Sequence, residues 1–329
     1  MRLTVIAAGA WGTALAIVLS ARHEVVLWTR EADVVRDMQT QRENRRFLPG
    51  FPLSAAVRVE ADLATAVAGA ELLVVATPLI GLRDALRQLR ELGAAVPLVW
   101  VCKGFEPHSG KLPHQVVAEE FGDGIACGVL TGPSFAEEVA QGLPTAVTLA
   151  SRDGDFARRI AAELHGGRLR VYANDDLVGA EIGGAVKNVM AIAAGISDGL
   201  GFGHNARAAL MTRGLAEITR LGVALGGQPG TFMGLAGMGD LILTCTGDLS
   251  RNRRVGLALA AGKQLPQILA ELGHVAEGVV TAREVAALAR RLGIDMPITE
   301  AVDAILHHGE PALTAVERLL SRDPKVESA

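Results

Sequence analysis

The sequence predicts an α/β amino-terminal domain built on a parallel sheet, followed by an all-α carboxy-terminal domain. In the first half, short β-branched runs alternate with helical stretches, which is typical of βαβ units. The run at residues 72–76 is continuously apolar, as expected for a central parallel strand covered on both faces. After about residue 175, apolar residues at helical spacing dominate. We therefore expect one domain over residues 1–175 and a second over residues 176–329.

Each element follows from its local pattern. Apolar and β-branched runs predict strands at residues 3–6, 24–29, 72–76, 97–102 and 125–130. Helices are expected between the first strands, at residues 13–21 and 31–43. In the second half, helical spacing predicts helices at residues 178–197, 206–225, 279–292 and 298–306. Near residues 173–180 the apolar residues change from strand-like runs to helical spacing, and this change marks the predicted domain boundary.

Composition limits the possible functions. The chain has 329 residues, of which 50% are hydrophobic and 21% charged, as in an ordinary globular protein. A net charge of −4 argues against a nucleic-acid or membrane-surface partner, and 4% aromatic residues leave few platforms for base stacking. Three cysteines without close pairing predict reduced thiols in a cytoplasmic protein. We expect no membrane insertion and no metal site. We also expect a homodimer, because helical domains of this size often dimerise.

A glycine turn follows the first predicted strand. Residues 7–12 read Ala-Ala-Gly-Ala-Trp-Gly, the dinucleotide motif G-x-G-x-x-G with Ala7 in place of its first glycine. Gly9 allows a pyrophosphate to approach the backbone, and Gly12 allows the helix to pack close to the strand. We expect the position of Ala7 to tolerate an ordinary negative φ. The alternative is a tight strand-to-helix turn with no ligand.

The end of the second strand bears on the cofactor. Arg30 stands 18 residues after Gly12, close to where an NAD-binding domain places an acidic residue on the ribose 2′-hydroxyl. A guanidinium there pairs with a 2′-phosphate and stacks on adenine. The sequence therefore favours NADPH, with NADH possible. The alternative is a solvent-exposed arginine at a strand end.

Three polar residues stand out in apolar surroundings. Lys103 follows a predicted strand, at the sheet edge where ligands bind. Lys187 lies in a nearly apolar helix, where desolvation lowers the pKa of a lysine toward the range useful for proton transfer. The alternative is a lysine whose stem carries its ammonium to the surface. Asp240 is a candidate partner for Lys187, unless it simply caps a helix.

Two further segments suit a ligand. Residues 131–136 follow a strand and contain small residues that let a ligand approach backbone N–H groups. Ser250 is a good N-cap, which would place Arg251 and Asn252 in the first helical turn beside unpaired N–H groups. That arrangement fits a phosphate monoester. The alternative is a solvated basic helix start.

Together these residues resemble the bacterial NAD(P)-dependent glycerol-3-phosphate dehydrogenase family, from Val5 to about Val302. The matching stretches are residues 8–16, 44–49, 102–104, 132–136, 186–188, 201–203, 212–214, 234–254 and 276–278. The resemblance implies a Rossmann-like first domain and reversible NAD(P)H-dependent reduction of dihydroxyacetone phosphate to sn-glycerol 3-phosphate. It also implies a role in glycerophospholipid synthesis.

The resemblance assigns roles residue by residue. The implied cofactor contacts are Gly9, Ala10, Trp11, Gly12, Arg30, Lys103, Ala136, Arg251, Val275 and Glu277. The implied substrate contacts are Lys103, Gly132, Ser134, Lys187, Asp240, Thr244, Ser250, Arg251 and Asn252. Lys187 matches the proton donor and acceptor, with Lys103 and Asp240 as catalytic partners and Thr244 orienting Asp240 or Lys187. His204 departs from the family, which carries a small acidic residue there; we expect a helix-boundary residue.

Two other functions remain open. One is a two-domain dehydrogenase acting on a hydroxy or keto acid, which would need a cation close to the reacting carbon. The other is a catalytically silent NADPH sensor, which would leave Lys103, Lys187 and Asp240 without a role.

Overall fold

The first domain contains one mixed sheet. The computed structural model describes residues 1–122, 124–272 and 276–323. In these residues the strands are Arg2–Ile6 (β1), Glu24–Trp28 (β2), Val57–Glu60 (β3), Leu72–Val75 (β4), Leu98–Trp100 (β5), Cys127–Thr131 (β6), Thr145–Ala150 (β7) and Leu169–Asn174 (β8). Their order is β3-β2-β1-β4-β5-β6-β7-β8. The predicted α/β class is confirmed.

The sheet is parallel from β1 to β6, and its last two strands run the other way. β7 pairs antiparallel with β6, with Thr131 opposite Thr148, and β8 runs parallel to β7. The sequence analysis missed β3, β7 and β8. β3 alternates buried and exposed residues over only four positions, and the outer part of β8 is exposed, so neither has a continuous apolar run.

Seven helices lie within the described part of the first domain. They are Ala10–Leu19 (α1), Ala32–Gln41 (α2), Leu63–Val67 (α3), Leu82–Glu91 (α4), Pro113–Phe121 (α5), Ala136–Ala140 (α6) and Gly154–Leu164 (α7). Helices cover both faces of the sheet, with α1, α2 and α7 in one hydrophobic cluster and α3, α4 and α5 in another. α1 begins three residues earlier than predicted, because the extended backbone of Gly9 is its N-cap. The turn residues Ala10 to Gly12 therefore form the first turn of this helix, with its free N–H groups.

The second domain is helical, as predicted. Its helices are Leu177–Gly199 (α8), Gly203–Ala224 (α9), Pro229–Phe232 (α10), Asp240–Thr246 (α11), Arg251–Ala260 (α12), Leu265–Leu272 (α13), Glu277–Leu292 (α14), Pro297–His307 (α15) and Ala312–Leu320 (α16). A π-helical turn, Leu235–Gly239, leads directly into α11. α8 is the central helix, and α9, α11, α12 and α14 pack around it.

α8 is long and apolar because it is the core of this domain. Among the described residues it is the one helix with the length and composition to cross a membrane, yet 94% of its most apolar window is buried inside the protein. Gly195 of α8 meets Gly256 of α12, where an added Cβ on Gly195 would lie 3.0 Å from the Gly256 Cα. This close approach packs the middle of α12 against the last turns of α8, and a hydrogen bond from Asn252 to Asn188 brings the start of α12 to the middle of α8.

Candidate functional site

Two lysines share one buried carboxylate where the domains meet. Lys187 lies midway along α8 and donates to Asp240 Oδ1, while Lys103 Nζ, after β5, donates to Asp240 Oδ2 over 2.6 Å. Asp240 is 1% exposed and Lys187 6% exposed. The predicted pairing of Lys187 with Asp240 is therefore confirmed, and Lys187 does not reach the surface.

Burial changes the acidity of Lys187. Loss of hydration lowers the pKa of its ammonium from 10.5 to about 7, Asp240 opposes this effect, and the positive charge of Lys103 adds to it. A lysine with this pKa exchanges a proton near neutrality. The shared carboxylate keeps both ammonium groups within the same small volume.

Thr244 completes this cluster from the next turn of α11. Its hydroxyl donates to the carbonyl oxygen of Asp240 over 2.6 Å and accepts from Lys187 Nζ over 3.0 Å. The position is 5% exposed. These hydrogen bonds are compatible with the expectation that Thr244 orients Asp240 or Lys187.

The loop after β6 lies beside Lys103. Lys103 Nζ donates to the carbonyl oxygen of Gly132 over 3.3 Å, and Ser134 Oγ donates to the same oxygen over 3.0 Å. Gly132 has φ +132°, and an added Cβ there would lie 3.1 Å from Val147 Cα. Only glycine fits this close backbone path, which brings the loop against β7.

The start of α12 has the predicted cap. Ser250 Oγ accepts from the backbone N–H of Arg253 over 3.2 Å. Arg251 is exposed and makes no hydrogen bond or ion pair with any described residue. By contrast, Arg253 pairs with Asp198 over 2.8 Å, which anchors α12 to α8. An exposed guanidinium beside free helix N–H groups suits an anion.

Asn252 has a partly structural role that the sequence analysis did not anticipate. Its amide donates to Asn188 Oδ1 over 3.0 Å and accepts from the Gly278 N–H over 3.1 Å. One N–H of this amide remains for a ligand. Asn188 was not proposed as a site residue, although a Lys-Asn pair inside an apolar helix was the available signal.

The glycine turn fits a pyrophosphate. An added Cβ at Gly9 would have no neighbour within 4 Å, so the space before α1 is open. At Gly12 the same atom would collide with the carbonyl oxygen of Ala7, so this glycine permits the close packing of helix and strand. Ala10, Trp11 and Ala136 pack in one apolar cluster at this turn.

The expectation for Ala7 was wrong. Ala7 has φ +83°, in the left-handed region that favours glycine. Its N–H donates to the Trp28 carbonyl over 2.8 Å, so the β1–β2 pairing continues into the turn and holds this conformation. Asn44 is a further residue at this turn that the sequence analysis did not propose as a site residue. It is fully buried, and its amide donates to the Ala8 carbonyl over 2.7 Å and to Thr13 Oγ1 over 2.8 Å.

The remaining predicted cofactor contacts are Arg30 and Glu277, together with Val275. The Arg30 side chain is 83% exposed after β2 and lies 3.6 Å from a carboxylate oxygen of Glu31. Glu277 begins α14; burial raises the pKa of its carboxyl, while the nearby cations Arg251, Lys103 and Lys187 act in the opposite direction. Val275 lies outside the described residues.

His204 is an exposed residue, unlike the buried lysine cluster. It is exposed in the first turn of α9, where its Nδ1 lies 2.7 Å from Arg207 Nη2. This position agrees with the expected helix-boundary residue.

Comparisons with known proteins cover both domains. Residues 2–157 match the family model described as NAD-dependent glycerol-3-phosphate dehydrogenase N-terminus, and residues 176–317 match the corresponding C-terminus model. Proteins named glycerol-3-phosphate dehydrogenase [NAD(P)+] from Dechloromonas aromatica and Nitrosospira multiformis are 66% and 62% identical to the chain. The alignments cover 100% of both chains in the first case and 99% of both in the second.

Solved structures agree. The crystal structure of a glycerol-3-phosphate dehydrogenase from Coxiella burnetii is 43% identical with a TM-score of 0.93, covering 98% of this chain and 99% of that one. The Saccharomyces cerevisiae glycerol-3-phosphate dehydrogenase is 30% identical with a TM-score of 0.83, covering 96% and 98%.

Proposed function

Since the chain belongs to the NAD-dependent glycerol-3-phosphate dehydrogenase family, we propose that it reversibly reduces dihydroxyacetone phosphate to sn-glycerol 3-phosphate with NAD(P)H. The observation that carries this proposal is the buried cluster of Lys187, Asp240 and Lys103 beside the open start of α12. Lys187 and the start of α12 lie on neighbouring helices, and this supports a proton donor and a phosphate site for one phosphorylated ketone. The product is the backbone of glycerophospholipids.

The substrate phosphate would bind at the start of α12. Arg251 supplies an uncommitted guanidinium, the first turn supplies N–H groups, and Asn252 supplies its remaining amide N–H. Ser250 stabilises this turn as its N-cap, because its hydroxyl accepts the backbone N–H of Arg253. Anchoring the phosphate here would direct the ketone toward the lysines, because α12 packs on α8.

Lys187 is the proposed proton donor in reduction and acceptor in oxidation. The bound reduced nicotinamide supplies the hydride to the ketone carbon. Lys187 and Lys103 stabilise the negative charge that develops on the carbonyl oxygen, and Lys187 transfers its proton to that oxygen. Asp240 holds both ammonium groups in place and Thr244 orients Lys187. The reverse reaction uses the same groups, with neutral Lys187 taking the alcohol proton.

The glycine turn, Arg30 and Ala136 are the proposed cofactor contacts from the first domain, and Arg251, Val275 and Glu277 those from the second. The open space before α1 supports the pyrophosphate position. The exposed Arg30 guanidinium supports a preference for NADPH, with NADH also accepted.

We also propose a boundary between residues 175 and 176, a homodimer, and a cytoplasmic location. The gap between the end of β8 at Asn174 and the start of α8 at Leu177 supports the boundary. The free thiols of Cys102, Cys127 and Cys245 support a reducing compartment, and therefore the cytoplasmic location. Light scattering after size-exclusion chromatography tests the dimer.

The direct test follows NADPH oxidation with dihydroxyacetone phosphate, with unphosphorylated dihydroxyacetone in parallel. We expect turnover with the phosphorylated ketone and little with the other. Lys187→Ala should remove most of kcat while circular dichroism shows a folded protein. Activity with neither ketone, or near-normal turnover of Lys187→Ala, would contradict the proposal.

A further inference from the structure

Another buried carboxylate, outside the proposed site, joins the two domains. Glu181 of α8 is 4% exposed, and its Oε1 accepts from Trp100 Nε1 over 3.0 Å and from the backbone N–H of His114 over 2.9 Å. Its Oε2 contacts the ring nitrogen Nδ1 of His114. Trp100 ends β5 and His114 lies in the first turn of α5, so one side chain of the second domain bonds to two elements of the first.

This junction is rigid because all three of its residues are buried. Trp100 is 0% exposed and His114 9% exposed. The first-turn N–H that Glu181 accepts has no partner within α5, and a carboxylate is a favourable group at a helix start. If Glu181 withdrew, the indole N–H and this backbone N–H would be left buried without acceptors, which is costly. The end of β5 is therefore held in a fixed position on α8.

Both lysines of the proposed site are attached to this junction. Lys103 follows Trp100 by three residues, and Lys187 follows Glu181 by six residues along α8. Gly184 lies between them on α8, where an added Cβ would lie 3.5 Å from Lys103 Cδ. The stem of Lys103 therefore passes over α8 one turn after Glu181, on its way to the carboxylate that it shares with Lys187.

We propose that Glu181 is a positioning residue, which sets the place of the Lys103 ammonium beside Lys187 by fixing the end of β5 on α8. This role rests on the proposed function, in which Lys103 stabilises the charge on the carbonyl oxygen. Among the described residues, Glu181 makes no hydrogen bond to either lysine, so it acts through the backbone between Trp100 and Lys103.

The ionisation of Lys187 reports where Lys103 lies. Burial lowers the pKa of Lys187 to about 7, and the positive charge of Lys103 adds to this effect. If Lys103 moved away, this repulsion would weaken and the pKa of Lys187 would rise. Loss of a negative charge near Lys187 would instead lower that pKa, so the two effects have opposite signs.

Two substitutions separate the reach of Glu181 from its charge. Glu181→Asp keeps the charge but is one methylene shorter, so it withdraws from Trp100 and His114. Glu181→Gln loses the charge but keeps the reach, since its Oε1 can still accept from both. We expect the pKa of Lys187 to rise by about 1 in Glu181→Asp and to stay near its wild-type value in Glu181→Gln. Trp100→Phe, which removes the indole N–H, should raise it by a smaller amount.

The pKa is measured without turnover, from the Cε chemical shift of ¹³C-labelled lysine as pH is varied. The signal of Lys187 is the one that is absent from Lys187→Ala. The chain has five lysines, so few signals overlap; they are Lys103, Lys111, Lys187, Lys263 and Lys325.

Glu217→Asp is the matched control. Glu217 is 1% exposed, and it accepts from the first-turn N–H groups of Ile298 and Thr299 in α15. Its shortening should lower stability in urea unfolding as Glu181→Asp does, but it should leave the pKa of Lys187 unchanged. Circular dichroism of each variant establishes that it is folded.

Activity gives a second measurement. Glu181→Asp should lower kcat for dihydroxyacetone phosphate about tenfold, because Lys103 no longer meets the developing charge. Its KM should stay within about twofold of the wild type, because the proposed phosphate site on α12 is unchanged. A wild type without turnover would contradict the proposed function, while the pKa comparison would still decide the role of Glu181.

An unmoved Lys187 pKa in both Glu181→Asp and Trp100→Phe would overturn the inference. So would a pKa change in Glu181→Gln as large as that in Glu181→Asp, because the charge of Glu181 and not its reach would then matter. An equal rise in Glu217→Asp would likewise overturn it, since any buried carboxylate would then have the same effect.

Discussion

Asp240→Asn isolates the electrostatic role of the shared carboxylate. The substitution keeps the shape of the side chain but removes the negative charge that contacts Lys187 and Lys103. Removing one member of a buried ion pair costs about 3 kcal/mol, because the remaining charge is left desolvated. Lys187 relieves this cost by losing its proton more easily.

The size of the effect follows from the linkage between pKa and free energy. About 3 kcal/mol corresponds to a decrease of about 2 in the pKa of Lys187, since one pKa unit is about 1.36 kcal/mol. In the wild type that pKa is about 7. The protonated fraction near neutral pH should therefore fall from about one half to about one in a hundred. We expect kcat for ketone reduction at that pH to fall about fiftyfold.

The assay is a pH profile of kcat in both directions. Reduction requires protonated Lys187, so its rate should fall as pH rises through the pKa, while oxidation requires neutral Lys187 and should rise. In Asp240→Asn both limbs should move to lower pH. Asp248→Asn is the control. Its carboxylate is 96% exposed, and it pairs with Arg253 rather than with Lys187 or Lys103. An unmoved limb in Asp240→Asn would refute the reasoning.

Three more substitutions test other parts of the structure. Ala7→Gly should stabilise the protein by about 1 kcal/mol in urea unfolding, because φ +83° strains alanine; an unchanged midpoint would mean the strain is absent. Arg251→Gln should raise KM for dihydroxyacetone phosphate about tenfold with a smaller change in kcat, and an unchanged KM would place the phosphate elsewhere. Arg30→Asp should shift the kcat/KM ratio from NADPH toward NADH, and no shift would remove the 2′-phosphate from Arg30.

Much of the fold was predictable because it depends on local patterns. The continuous apolar run at β4 identified a central strand, and the helical period after β8 identified the second domain. The reversal at β7 was not predictable, since strand direction depends on how the chain returns to the sheet and leaves no mark in an apolar run.

The residue types of the site were predictable, but the hydrogen bonds and ion pairs between them were not. Lys187 stood out because an ammonium is costly in an apolar helix, and Ser250 because it caps one. That Lys103 also reaches Asp240 was not predictable, because those residues are 137 positions apart in the chain. The commitment of Asn252 to Asn188 and Gly278 likewise depends on the packing of three helices.

By itself, the sequence determined the two domain classes, the glycine turn and the residue types that suit a phosphorylated ketone, because periodicity and desolvation cost act locally. Only the tertiary structure decided the positive φ of Ala7 and the sharing of Asp240 by two lysines. Each of these results from contacts between segments far apart in the chain, whose geometry is set by close packing of the whole molecule.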